Sequence, residues 1–90
     1  MSINPEAVIA FSPLHRLQWE DAQQKHVILY PEGMVELNAT AAEILQLCNG
    51  QHTLRNMVTI LEQKFETSGL ENDIREMLEA ALKNGWIKQN

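Results

Sequence analysis

The chain has little of several things, and each scarcity excludes a class of function. A single cysteine, Cys48, leaves no intrachain disulfide and fits a reducing cytoplasm. Apolar runs such as Val27-Ile28-Leu29-Tyr30 fall far short of the ~20 residues that a membrane-spanning helix needs. Basic side chains are few: seven Lys and Arg stand against twelve Asp and Glu, a net charge of −5. That balance disfavours nucleic acid and anionic membranes, because both require a basic surface. The four glycines (33, 50, 69 and 85) are isolated, so there is no glycine-rich loop to cradle a phosphate. The opening MSINPEAVIAF has no basic n-region, carries Glu6 and is interrupted by Pro5, so it does not read as a secretory signal.

What is present fits one small globular domain. Ninety residues bury a little over ~60% of the unfolded surface, enough for one modest core. The hydrophobic share of 44% and charged share of 21% are ordinary for such a fold.

Along the chain, residues 1–13 read as a flexible N-terminal arm, with Pro5 and Pro13 opposing regular pairing, and residues 14–90 as the domain itself. Period-two alternation places Leu17 and Trp19 on one face of a strand over 14–20. Asp21-Ala22-Gln23-Gln24 suits a hairpin connection to a second strand, KHVILY (25–30), rich in β-branched and aromatic residues. Pro31-Glu32-Gly33 suits a tight turn into a third strand over 34–37. The period then changes. Thr40-Ala41-Ala42-Glu43 has the form of a capping box for a helix carrying Ile44, Leu45, Leu47 and Cys48, which Asn49-Gly50 stops. Thr53 caps a second helix with Leu54, Met57, Val58, Leu61 and Phe65 along one stripe. Ser68-Gly69-Leu70-Glu71 reads as another box, opening a third helix with Leu70, Ile74, Met77, Leu78, Ala81 and Leu82 on its apolar face. Asn84-Gly85 ends it, and Trp86-Ile87-Lys88 is an apolar tail that must pack somewhere. Three strands followed by three helices predict an α+β fold. It is a winged-helix-like domain in which a three-stranded antiparallel β-meander precedes three α-helices.

The candidate chemical groups are sparse. Cys48 and His52 are four apart, but Gly50 breaks the helix between them and no second pair completes a tetrahedral metal site. His15 and His26 are expected across the first hairpin, with no serine or cysteine placed to be activated. The last helix carries Glu71, Asp73, Glu76 and Glu79 against Arg75 and Lys83, a sign that repels a phosphate backbone. These residues predict no catalytic residues, no metal and no cofactor. What remains is the third strand. At the edge of a meander it presents unpaired N–H and C=O groups that an extended peptide can satisfy. Its shortness is equally a way of keeping an edge harmless.

RLQWE (16–20), HVILYPEGM (26–34), the LN-x-TA-x-x-IL-x-L run (37–47) and the Cys-Asn-Gly that follows resemble the pyrroloquinoline quinone biosynthesis protein D family, over nearly the whole chain. The resemblance implies a cytoplasmic, non-enzymatic peptide chaperone. Its partners would be the ribosomally made precursor peptide of the quinone and the pathway's radical S-adenosylmethionine (SAM) enzyme, to which it presents that peptide. By position it implies a peptide added as a strand along Gly33, Met34, Val35, Glu36 and Leu37, facing a wall of Ile74, Arg75, Leu78 and Leu82. In that wall Leu78 and Leu82 would give apolar contact and Arg75 would pair with a peptide carboxylate; the plainer alternatives are that Ile74 and Leu78 are core and that Arg75 is a solvated partner of Glu71 or Glu79. A nucleic-acid-binding winged-helix regulator and a structural interaction domain without a peptide ligand are the alternative readings. The short edge strand and free arm also permit a homodimer by strand exchange.

Overall fold

Residues 2–90 are described by a computed structural model, which arranges two small antiparallel sheets and three helices around one core. In chain order the elements are β1 (Val8–Phe11), β2 (Arg16–Glu20), β3 (Lys25–Tyr30), β4 (Gly33–Glu36), α1 (Ala39–Leu45), β5 (Asn49–Thr53), α2 (Leu54–Lys64), α3 (Glu71–Lys83) and β6 (Ile87–Gln89).

The expected meander is there, with strand order β2-β3-β4. Its register runs Arg16↔Leu29 to Glu20↔Lys25 on one side of β3 and Val27↔Glu36 to Tyr30↔Gly33 on the other. The period of two then sorts the side chains. Leu17, Trp19, His26, Ile28 and Val35 share one face. Ile28 is fully buried there, and Leu17 and Val35 pack at the margin of the core. Arg16, Gln18, Glu20, Lys25, Met34 and Glu36 share the other, tied by the Gln18–Glu20 hydrogen bond (3.0 Å) and the Lys25–Glu36 ion pair (3.4 Å). His15 and His26 do not face each other. The register sets His26 opposite Trp19, with the rings edge-on at 5.0 Å, while His15 stacks on Tyr30 at 5.5 Å.

A second sheet, ordered β5-β1-β6, was not expected, and it corrects the reading of residues 1–13 as an unpaired arm. Pro5 and Pro13 lie outside the four residues that pair, so neither removes a ladder hydrogen bond. Val8–Phe11 is the central strand, with Ile9 opposite His52 on one side and Gln89 on the other. Ile3 and Ile9 are buried, and the apolar tail finds its place as β6, with Ile87 in the core. Asn49-Gly50 accordingly does not stop a helix: α1 ends at Leu45 and both residues belong to β5. Gly50 sits at φ +84°, beside the register shift between Ile9 and Ala10, where a left-handed residue absorbs the irregularity.

The helix starts show which residues compete successfully for the free N–H groups. Asn38, not Thr40, caps α1, its side-chain oxygen accepting from Ala41 N–H at 2.7 Å. Glu43 is then free to pair with Lys64 of α2. Thr53 caps α2 as expected and makes a reciprocal box with Asn56. Ser68 does not cap α3. The helix begins at Glu71 after an uncapped Leu70, whose N–H donates instead to the Glu62 carboxylate at 3.0 Å, tying the start of α3 to α2. Phe65 is not on the buried stripe of α2. It stands at the C-cap and is 51% exposed. Ala41, Ala42, Ile44 and Leu45 from α1, Leu54, Met57 and Leu61 from α2, and Ile74, Leu78 and Ala81 from α3 complete the core. No described helix is long and apolar enough to cross a membrane.

Candidate functional site

β4 ends its sheet, and the direction of its backbone groups follows from one hydrogen bond. Leu37 N–H donates to the His26 carbonyl at 3.0 Å, continuing the β3–β4 register by one pair. In an antiparallel ladder, bonded and non-bonded pairs alternate. Val35–Ile28 and Gly33–Tyr30 are therefore the bonded pairs. The N–H and C=O groups of Met34 and Glu36 point away from β3, along the free edge. Four backbone groups thus stand ready for an added strand. The opposite edge of the sheet is different in kind: β2 carries Arg16 and Glu20 at its ends and Gln18 between, a charged strand that resists pairing. β4 has one charge, Glu36, and presents Met34 at 44% exposure.

The residues expected to line a peptide groove divide by burial. Val35 and Leu82 are half-buried at the margin of the same hydrophobic cluster that holds Leu37, Ile74 and Leu78. Ile74 and Leu78, at 2% and 0% exposure, are core residues that hold α3 in place, so their side chains offer little surface to a ligand. Gly33, Met34 and Glu36 are exposed on the strand. Arg75 faces elsewhere. Its guanidinium donates to the Glu71 carboxylate at 3.0 Å and to the Ile3 carbonyl at 3.5 Å, binding α3 to the N-terminal segment. Of the two readings of Arg75, this geometry matches the pairing with Glu71. Half-buried Met77 joins the cluster margin instead.

A cleft of about 410 Å³ opens between the start of α1, the end of α2 and the start of α3. Phe65, Ala39 and Thr40 belong to its wall; the sequence offered Phe65 as core and Thr40 as a cap, and none of the three as a site residue. An aromatic ending a helical stripe looks like core until the helix is seen to stop one residue earlier.

The remaining candidate groups are ordinary core and surface. Cys48 is buried, its sulfur within hydrogen-bond reach of the Ile44 carbonyl at 3.9 Å, and burial pushes its thiol up to about 12. A thiol so held is neither a nucleophile nor a ready metal ligand at neutral pH.

Comparison with known proteins agrees with this architecture. The sequence pattern of the family Coenzyme PQQ synthesis protein D (PqqD) matches residues 25–87. A protein of Methylococcus capsulatus named PqqA binding protein is 61% identical over 89 residues, 99% of this chain and 96% of that one. A protein of the same name from Klebsiella pneumoniae is 45% identical over 82 residues, 90% of this chain and 89% of its own length. Among solved structures, the solution NMR structure of the PqqD truncation of Methylobacterium extorquens PqqCD superposes with a TM-score of 0.80 at 26% identity, covering 97% of this chain and 95% of that one. That protein is described as a functional, stand-alone recognition element for ribosomally synthesised and post-translationally modified peptides. The heterocyclase TruD shares the fold over 93% of this chain, at a TM-score of 0.71 and 19% identity, although the match spans only 12% of TruD. With a family pattern over most of its length and a relative of 61% identity along nearly all of it, this chain belongs to the PqqD family.

Proposed function

We propose that this protein binds the ribosomally made precursor peptide of coenzyme PQQ as a strand added to β4. It then presents the peptide to the pathway's radical SAM enzyme in the cytoplasm, contributing no chemistry of its own. The observation that carries the reading is the free edge of β4: the outward N–H and C=O groups of Met34 and Glu36, beside the apolar margin made by Val35, Met77 and Leu82. The name PqqA binding protein, borne by both relatives, supports it.

In this arrangement Gly33, Met34, Val35, Glu36 and Leu37 act through the shape and hydrogen bonds of the strand. Ile74 and Leu78 fix the helix wall from within, Leu82 offers the apolar contact, and Arg75, paired with Glu71 of its own helix, holds that helix to Ile3. Four edge hydrogen bonds at ~0.5–1.5 kcal/mol each supply roughly 2–6 kcal/mol. A micromolar complex needs about 8 kcal/mol, so side-chain contacts must contribute the rest.

Calorimetric titration of a synthetic precursor peptide, unmodified and with single backbone N-methyl groups, tests the proposal. N-methylation at a position facing Met34 or Glu36 should weaken binding about tenfold, with alternate positions far less sensitive. Equal binding by every methylated peptide would show that no strand is added.

A further inference from the structure

This inference rests on the proposed strand addition and concerns the face of the meander turned away from the core. The outward N–H and C=O groups belong to Met34 and Glu36, whose side chains both lie on that face. An added antiparallel strand bonds through its residues directly opposite these two, and opposed residues share a face. Two peptide side chains, two positions apart, therefore stand beside Met34 and Glu36, while the residue between them turns toward Val35. The face they meet is not uniformly polar. Val27 is fully buried on it yet lies outside the core cluster, with Gln18 opposite on β2 and Glu36 opposite on β4. Half-buried Leu29 stands opposite exposed Met34. Apolar surface thus runs from β3 to the free edge at Met34 and gives way to charge at Glu36. The Glu36 carboxylate is weakly engaged. Its Oε1 takes the Lys25 ammonium at 3.4 Å, longer than an ordinary charge-assisted bond, and Oε2 has no hydrogen-bond partner among the described residues. Lys25 approaches from β3, on the side away from the free edge.

We infer that the side chains of Met34 and Glu36 determine specificity at the peptide edge. The bound peptide carries a lysine or arginine opposite Glu36 and an apolar side chain opposite Met34, two positions away. Charge decides the occupant. A carboxylate opposite Glu36 is repelled and a neutral apolar side chain leaves Oε2 unused, whereas a cation engages the open side of the carboxylate as Lys25 engages the other. The pair with Lys25 joins two groups open to solvent, so sharing Glu36 with a second cation costs little. Backbone bonds hold a strand without choosing its register, because a slip of two residues restores them all. A charge and an apolar contact at fixed spacing distinguish one register from the next. An exposed cross-strand ion pair is worth up to about fivefold in affinity, and like charges at the same position cost a similar factor.

Calorimetric titration of Glu36→Lys, Glu36→Gln, Lys25→Gln and Met34→Ala with the synthetic PQQ precursor peptide tests the assignment, thermal midpoints being checked alongside. All three positions are open to solvent, so the fold tolerates the changes. Glu36→Lys should bind about tenfold more weakly at low salt and Glu36→Gln about threefold, both losses shrinking at high salt. Lys25→Gln, which removes the competing cation, should bind about twofold more tightly. Peptides in which one lysine or arginine at a time is changed to glutamate locate the partner. One of them should bind Glu36→Lys more tightly than the unaltered peptide does, and the unaltered protein more weakly. Alanine versions of the apolar residues should include one, two positions from that basic residue, whose loss Met34→Ala does not deepen. Affinity of Glu36→Lys within about twofold of the unaltered protein, or a loss that no glutamate peptide restores, overturns the assignment. N-methylated peptides that still fail opposite Met34 and Glu36 then leave the strand edge standing. Weaker binding by Lys25→Gln would give the charge role to Lys25 and also overturn it. Equal binding by every N-methylated peptide removes the edge and this assignment together.

Discussion

Ile9→Ala is the sharpest test of the architecture, because sequence and structure disagree most about residues 1–13. Ile9 is fully buried on the central strand of β5-β1-β6, and it belongs to the same cluster as Ile28, Leu45, Met57 and Leu78. The substitution deletes three carbons. At ~0.8 kcal/mol per buried methylene, the transfer term is about 2.4 kcal/mol. The cavity left behind adds to it, because neighbours held by three helices and a second strand relax only in part, so the loss should reach about 3–4 kcal/mol. For a domain of this size the whole stability is of order 5–13 kcal/mol, and the thermal midpoint should fall by roughly 12–30 °C. Urea unfolding followed by circular dichroism, with an unchanged denaturant slope, gives the number directly. A loss below about 1 kcal/mol would refute the reasoning, since it would mean that Ile9 is not enclosed and that the first residues are an arm after all.

Three further outcomes follow from particular contacts. Asn38→Ala should cost about 1 kcal/mol in urea unfolding through loss of the α1 cap, whereas Thr40→Ala should stay within about 0.5 kcal/mol; the reverse order would restore Thr40 as the cap. Burial raises the Cys48 thiol from 9.0 to about 12, so its contribution to stability is complete below pH 9 and is lost as pH rises from 9 toward 12, where the unfolded chain releases the proton first. Cys48→Ala should flatten that part of the stability–pH curve relative to the unaltered protein, and an identical slope in the two would count against a buried thiol. Arg75→Gln should change precursor-peptide affinity less than about twofold by calorimetry, because the guanidinium is already engaged by Glu71 and Ile3; a loss of tenfold or more would make Arg75 a carboxylate receptor.

The meander was legible because its determinants are local. HVILYPEGMVELN holds two adjacent β-forming runs joined at a turn, and the alternation in RLQWE agrees with their register. The stripes of α2 and α3 were legible for the same reason. The second sheet was not. Its outer strands, NGQHT and IKQ, are polar and short, and β1 finds them some 40 and 80 residues away along the chain. Their pairing is decided by the burial of Ile9 and Ile87, not by propensity. Helix starts failed on a competition that sequence cannot resolve: Asn38 and Thr40 are both good caps, and the one that ends the extended segment wins. At the candidate site the strand was readable from 33–37, but the role of α3 was not. Spacing leaves open whether Ile74 and Leu78 are core or groove wall, and it does not reveal that Arg75 turns toward Ile3.

The central claim is that β4 is a template for an added strand, and an amide NMR titration with the synthetic precursor peptide tests it most directly. Saturable shifts concentrated on residues 33–37 and 74–82, with slowed hydrogen exchange of the Met34 and Glu36 amides, are the predicted result. Saturable binding whose shifts fall elsewhere, with those two amides still exchanging freely, would contradict it.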